Sequence, residues 1–136
     1  MSTNLLFVYG TLRRGGSNDI ARVAPGARWA GTARVRGRLY DLGAYPAMLL
    51  DAGAGWVAGE VYVVPAADWP ALDALEEPVS PARPDGEYFK QAAEVEDTNG
   101  RAALAWIYVA NPAVLRLDRE IAAGDWIAHA QARKRA

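Results

Sequence analysis

The chain has 136 residues, no cysteine and a single histidine, with 15 Lys and Arg against 16 Asp and Glu. Its length suits one domain, residues 1–136, whose core stands without disulfides or metal. The even charge argues against nucleic acid as the main partner, and the absence of thiols excludes cysteine nucleophiles and thiolate metal sites.

Leu5 to Tyr9 is an aromatic and branched run stopped by Gly10, which reads as a buried strand entering a tight turn. Backbone N–H groups in such a turn face an anion or a carbonyl oxygen. Gly10, Gly15, Gly16 and Ser17 come close to a phosphate-binding loop, but position 16 holds glycine where that loop needs lysine. Nucleotide binding stands as one alternative. Residues 29–50 alternate in polarity around Gly31, Gly37 and Gly43 and predict short strands joined by tight turns. Residues 55–64 predict a strand ended by Pro65. A helix is expected over Asp68 to Glu77, with Asp68 as N-cap, Pro70 in the first turn and Pro78 displacing Glu77.

The loop VSPARPDG follows and is expected to cover or flank a cavity mouth. Residues 87–96 and 102–110, parted by Asn99 and Gly100, predict a hairpin. Asn111 and Pro112 open a last segment that Gly124 breaks into two helical pieces. His129 reads as a surface residue of the C-terminal helix, and Arg133, Lys134 and Arg135 as a solvated tail. Strands with helices inserted between them predict a single compact α+β domain, a mixed β-sheet curled into a barrel-like cavity with short helices. No apolar run approaches the ~18 to 20 residues of a membrane span and no signal peptide is legible, so a cytoplasmic protein without membrane partners is expected.

One carboxylate stands out. On the short helix Trp69, Leu72 and Leu75 make an apolar stripe, and Glu76 falls about 40° from Leu72. Glu76 therefore faces inward at a helix C-terminus, where burial, the macrodipole and neighbouring Glu77 are expected to raise its pKa. That suits a general base. An ordinary last-turn glutamate at the core rim is the competing reading, Glu60 and Glu87 are weaker candidates, and Asp73 and Glu77 point toward solvent.

The stretches FVYGTLRRG, GRLYDLGAYPAML, VAGEVYVV, LDALEE with EYFK, and AAGDW occur in this order over most of the chain. Together they resemble the gamma-glutamylcyclotransferase-like family, in particular its AIG2-like and gamma-glutamylamine cyclotransferase branch. The resemblance implies a barrel-like fold whose cavity holds a gamma-glutamyl group, with Glu76 catalytic and Tyr9, Gly10, Thr11 and Leu12 binding substrate. Arg13 or Arg14 pairing a substrate carboxylate, and Tyr88 closing the proline loop, complete the expected site. The implied reaction is attack of the alpha-amine on the gamma-glutamyl amide, releasing 5-oxoproline and an amine, with no cofactor and no metal. A small-metabolite binding protein that keeps the cavity without turnover is the alternative, and Glu87 remains the alternative acid/base. The leaving group and the oligomeric state stay open.

Overall fold

The side chains of residues 5–9 alternate between two apolar clusters, so the first strand is a wall shared by both halves of the core. This is seen in a computed structural model that describes residues 3–135. Met1, Ser2 and Ala136 of the expected domain, and the Arg135 side chain, lie outside the described residues. In β1 (Leu5–Val8), Phe7 packs with Val35, Val57 and Ile107, whereas Leu6 and Val8 pack with Leu72 and Tyr108. A strand buried on both faces reads as an unbroken apolar run, as this one does.

Around β1 the sheet closes. β4 (Trp56–Val63) pairs antiparallel and β6 (Ala102–Ala110) parallel to β1, β5 (Tyr88–Asp97) pairs with β6, and β2 (Arg28–Asp41) joins β4 to β5. The result is a closed five-stranded mixed barrel with β3 (Pro46–Leu50) added outside β2. Among the described residues the helices are short: α1 (Ile20–Val23), α2 (Trp69–Glu76) behind a 3₁₀ turn at Ala66–Asp68, and α3 (Trp126–Arg135). None is long and apolar enough to cross a membrane.

Several local expectations are corrected. The segment 29–50, expected to hold short strands joined by tight turns, begins with one 14-residue strand, β2, and only then turns at Gly43, φ +104°, into the short β3. Gly31, at φ +128°, forms a bulge in the pairing with β4 rather than a turn, and Gly37 continues the strand. Asp68 does not cap α2; its carboxylate accepts the N–H of Gly26 at 2.8 Å. Residues 112–119 form a turn and irregular chain instead of a helix, although the Asn111 side-chain oxygen accepts the Ala113 N–H at 3.1 Å while its amide donates to the Gly86 carbonyl at 2.9 Å. Only the piece after Gly124 is helical. Arg133 is no solvated tail; it reaches Asp41 at 2.9 Å beside His129 at 2.8 Å, and so ties α3 to the end of β2.

Candidate active site

The cavity opens at the barrel end where β1 and β6 finish and β5 begins. There Gly10 breaks the strand, and the chain turns through Thr11 and Leu12 toward α1. The turn is fastened from outside: the carbonyls of Thr11 and Leu12 accept from the N–H groups of Asn18 and Ile20, both at 3.0 Å. Its amides are left over. The N–H groups of Gly10, Thr11 and Leu12 have no hydrogen-bond partner among the described residues. Below the turn the buried Glu60 accepts from the Arg14 N–H at 2.7 Å, the Tyr62 hydroxyl at 2.9 Å and Arg13 Nε at 3.1 Å.

The cavity has a volume of about 300 Å³, the scale of a small metabolite. Tyr9, Gly10, Thr11, Leu12, Glu76 and Tyr88 all line it. Leu72 seats α2 in the core, and this turns Glu76, at the helix's last residue, into the cavity. Its carboxylate forms no hydrogen bond or ion pair with the described residues. No fully buried side-chain polar atom among them lacks a partner, so the Glu76 oxygens are open to the cavity. Burial, then the charge of Glu87, push the Glu76 carboxyl up to about 7. Glu77, expected to contribute, does not: it leaves the helix at φ +49° and pairs with Arg83 at 3.2 Å.

Three tyrosines close the inner end. Tyr9 donates to the Tyr108 carbonyl at 2.6 Å, Tyr88 to the Pro46 carbonyl at 3.0 Å, and Tyr108 to Asp73 at 2.6 Å. Burial raises all three phenols above their ordinary value, and the nearby Glu76 charge adds to it. They therefore stay protonated donors at neutral pH.

A family model described as "Gamma-glutamyl cyclotransferase, AIG2-like" matches residues 6–128. The chain belongs to this family. It is 35% identical to the gamma-L-glutamyl-butirosin B gamma-glutamyl cyclotransferase of Niallia circulans, over 78% of this chain and 66% of that one. It is 33% identical to the Escherichia coli gamma-glutamylcyclotransferase family protein YtfP, over 90% of this chain and 95% of that one. The solved structure of YkqA from Bacillus subtilis superposes with a TM-score of 0.77 at 28% identity, covering 99% of this chain and 44% of that one.

Within this member of the cyclotransferase family, Arg13 does not line the cavity. It is clamped between Glu60 and Asp125 at 3.1 and 2.9 Å, while the Arg14 guanidinium lies 4.0 Å from the Trp29 ring centroid. Nor does the proline loop cover the mouth. Its base is pinned by the Val79 N–H to the Tyr88 carbonyl at 2.7 Å, so residues 81–85 stand in solvent, and the loop only flanks the cavity, which Glu76 before it and Glu87 after it line. Asp73, expected in solvent, takes the Tyr108 hydroxyl and Lys90. Sequence reasoning passed over Tyr45, Ser17, Asn18 and Tyr108 as lining residues. Tyr45 lay inside the quoted GAYP stretch, and that was its only signal.

Proposed function

We propose that this protein is a cyclotransferase that releases 5-oxoproline from gamma-glutamyl amides, with Glu76 as the proton shuttle. The observation that carries this reading is the facing pair in one cavity: a partnerless carboxylate with a pKa of about 7, and unpartnered amides at Gly10, Thr11 and Leu12. A base titrating near the working pH both takes and returns protons efficiently.

In the proposed reaction Glu76 removes a proton from the alpha-ammonium group, and the freed nitrogen attacks the gamma-carbonyl carbon. A five-membered ring forms as the carbonyl oxygen gains charge, and the turn amides stabilise that charge or hold the alpha-carboxylate. The bond from the former carbonyl carbon to the leaving nitrogen then breaks. Glu76 returns the proton to that nitrogen, then takes the second proton that the ring nitrogen sheds as it becomes the lactam N–H and passes it to the departing amine, so 5-oxoproline and an ammonium ion leave and the carboxylate is restored. The turn amides take the role first given to arginine, since Arg13 is spent on Glu60 and Asp125. The cyclotransferase names of the E. coli and Niallia relatives support the same reaction class.

The test is a panel of gamma-glutamyl amides with amino acid, peptide and alkylamine leaving groups, assayed for 5-oxoproline. Release from at least one, lost in Glu76→Gln, is the expected result. Ligand-induced stabilisation without product on any member would instead identify a binding protein.

A further inference from the structure

Among the described residues, the fully buried carboxylates Asp41 and Glu60 and the partly exposed Asp73 each meet a cation. Glu60 has Arg13, Asp41 has His129, Arg119 and Arg133, and Asp73 has Lys90. Glu87 differs. It is half-buried, lines the cavity and forms no ion pair among the described residues; its side-chain partner is the Tyr45 hydroxyl, 3.0 and 3.2 Å from its two oxygens. One neutral donor leaves most of its lone pairs unused. Among the described residues no Lys, Arg or His lines the cavity, so none of them balances Glu76 and Glu87 within it. A desolvated carboxylate without a cation is costly unless a ligand brings one.

Position says which part of a ligand that is. Tyr9, Tyr88 and Tyr108 are buried at the inner end, whereas Tyr45 is shared between the cavity and an adjoining surface recess lined by Asp41, Leu42, Leu115 and Arg119. Glu87, bonded to Tyr45, therefore stands at the rim. If ring closure takes place beside Glu76 and the turn amides, the leaving amine points past Glu87 toward solvent. The arginines of the recess are already held, Arg116 by Asp118 at 2.8 Å and Arg119 by Asp41 at 3.4 Å.

Resting on the cyclotransferase reading, we propose that Glu87, oriented by Tyr45, is a specificity-determining residue that selects gamma-glutamyl amides whose leaving amine carries a second, cationic centre and disfavours those whose leaving group carries a carboxylate. It acts on the charge of the departing group and takes no part in the proton transfer.

Three gamma-glutamyl conjugates of matched length test this: those of diaminobutane, butylamine and aminobutyrate, which end in a cation, a methyl group and an anion. The expected order of kcat/KM is diaminobutane, butylamine, aminobutyrate, with about tenfold between the first two at low salt, the size of one partly screened charge pair. Raising ionic strength shrinks that ratio, because a Debye length of about 10 Å at 0.1 M falls to about 3 Å at 1 M. Glu87→Gln brings the ratio toward one, and Glu87→Lys inverts the order. A ratio near one in the wild type, or a preference that survives both salt and Glu87→Gln, overturns the assignment, and so does a Glu87 that serves the alpha-ammonium instead, because all three conjugates would then lose activity equally. If none of the three releases 5-oxoproline, the cyclotransferase reading itself fails and this inference falls with it; if the butylamine conjugate turns over without charge preference, only the role of Glu87 is overturned.

Discussion

The Glu60 carboxylate holds the backbone N–H of Arg14 at 2.7 Å, and through this bond strand β4 carries the turn that edges the cavity. Glu60 also takes Arg13 and the Tyr62 hydroxyl, so one buried side chain fixes the turn's position and its two arginines. Glu60→Gln keeps the shape but removes the charge and one acceptor. Hydrogen bonds to charged groups contribute ~1.5–3 kcal/mol, so denaturant unfolding of Glu60→Gln is expected to show a loss of about 2 kcal/mol. Cyclotransferase kcat/KM falls as well, since the turn amides lose their anchor. Unchanged stability would mean that the contacts with Asn18 and Ile20 hold the turn by themselves.

Glu76→Gln separates shape from proton transfer. The side chain stays nearly isosteric and the fold is retained, while kcat drops by roughly 10² to 10⁴, the usual contribution of a positioned acid or base. Glu77→Gln, exposed and paired with Arg83, changes kcat by less than about twofold. Full activity of Glu76→Gln in steady-state assays moves the catalytic role to Glu87, the other carboxylate of the cavity.

The same carboxylate makes stability depend on pH with a definite sign. Its pKa rises from 4.5 to about 7 on folding, chiefly through burial. Between these values the folded state keeps a proton that the unfolded chain has lost, so Glu76 destabilises the protein increasingly as pH rises across the window. Glu76→Gln removes that penalty. The variant and the wild type are expected to unfold alike below about pH 4.5, and the variant to be more stable above about pH 7, by up to about 3 kcal/mol. Activity runs the other way, with an acid limb in kcat/KM near pH 7. Parallel unfolding curves for the two proteins across this range would place Glu76 in an ordinary solvated setting.

What could be read from the sequence were the features whose causes are local. β1, β4, the hairpin at Asn99 and Gly100, and α2 with its inward glutamate follow from two-residue and 3.6-residue periods and from turn residues. The facing of Tyr9 to Leu12 and Glu76 came from those elements together with the family resemblance. β2 was not legible, because a glycine inside a strand looks the same as a glycine in a turn until pairing with β3 and β4 fixes it. Arg13 looked free beside the turn, and only the approach of Glu60 and Asp125, 47 and 112 positions away, makes it a clamp. Glu87 was noted as a carboxylate after a turn, but its lack of a cation is a property of the whole assembled cavity.

AAGDW, which helped carry the resemblance, serves the fold. Gly124 has φ +68°, and a Cβ there would stand 2.1 Å from the Trp56 carbonyl oxygen, on strand backbone that cannot yield. Gly124→Ala is expected to cost at least about 3 kcal/mol, joining left-handed strain to that overlap. Asp125→Asn weakens a half-exposed link to Arg13 and costs under about 1 kcal/mol. Thermal unfolding ranks the two, and a Gly124→Ala protein as stable as the wild type would show that the α3 junction adjusts freely.

Gly10 is the reverse case, a glycine whose substitution strikes the site before the fold. Its φ is not in the left-handed region, so alanine meets no backbone strain, but a Cβ would stand 2.7 Å from Cγ and 2.9 Å from Cδ of Pro46. Pro46 opens β3 at the edge of the sheet and lines the same cavity, so relief comes by moving the turn and Pro46 apart. The unpartnered amides of Gly10, Thr11 and Leu12 move with it. Removing one donor from an oxyanion site lowers kcat by ~10² to 10³, and displacing a set of them by a fraction of an ångström is expected to lower it by at least about tenfold. Global stability falls by only about 1 kcal/mol, since the Pro46 ring sits at a sheet edge. A Gly10→Ala enzyme with wild-type kcat, measured alongside its unfolding curve, would show that these amides do not meet the developing charge and would leave the turn as a wall of the cavity alone.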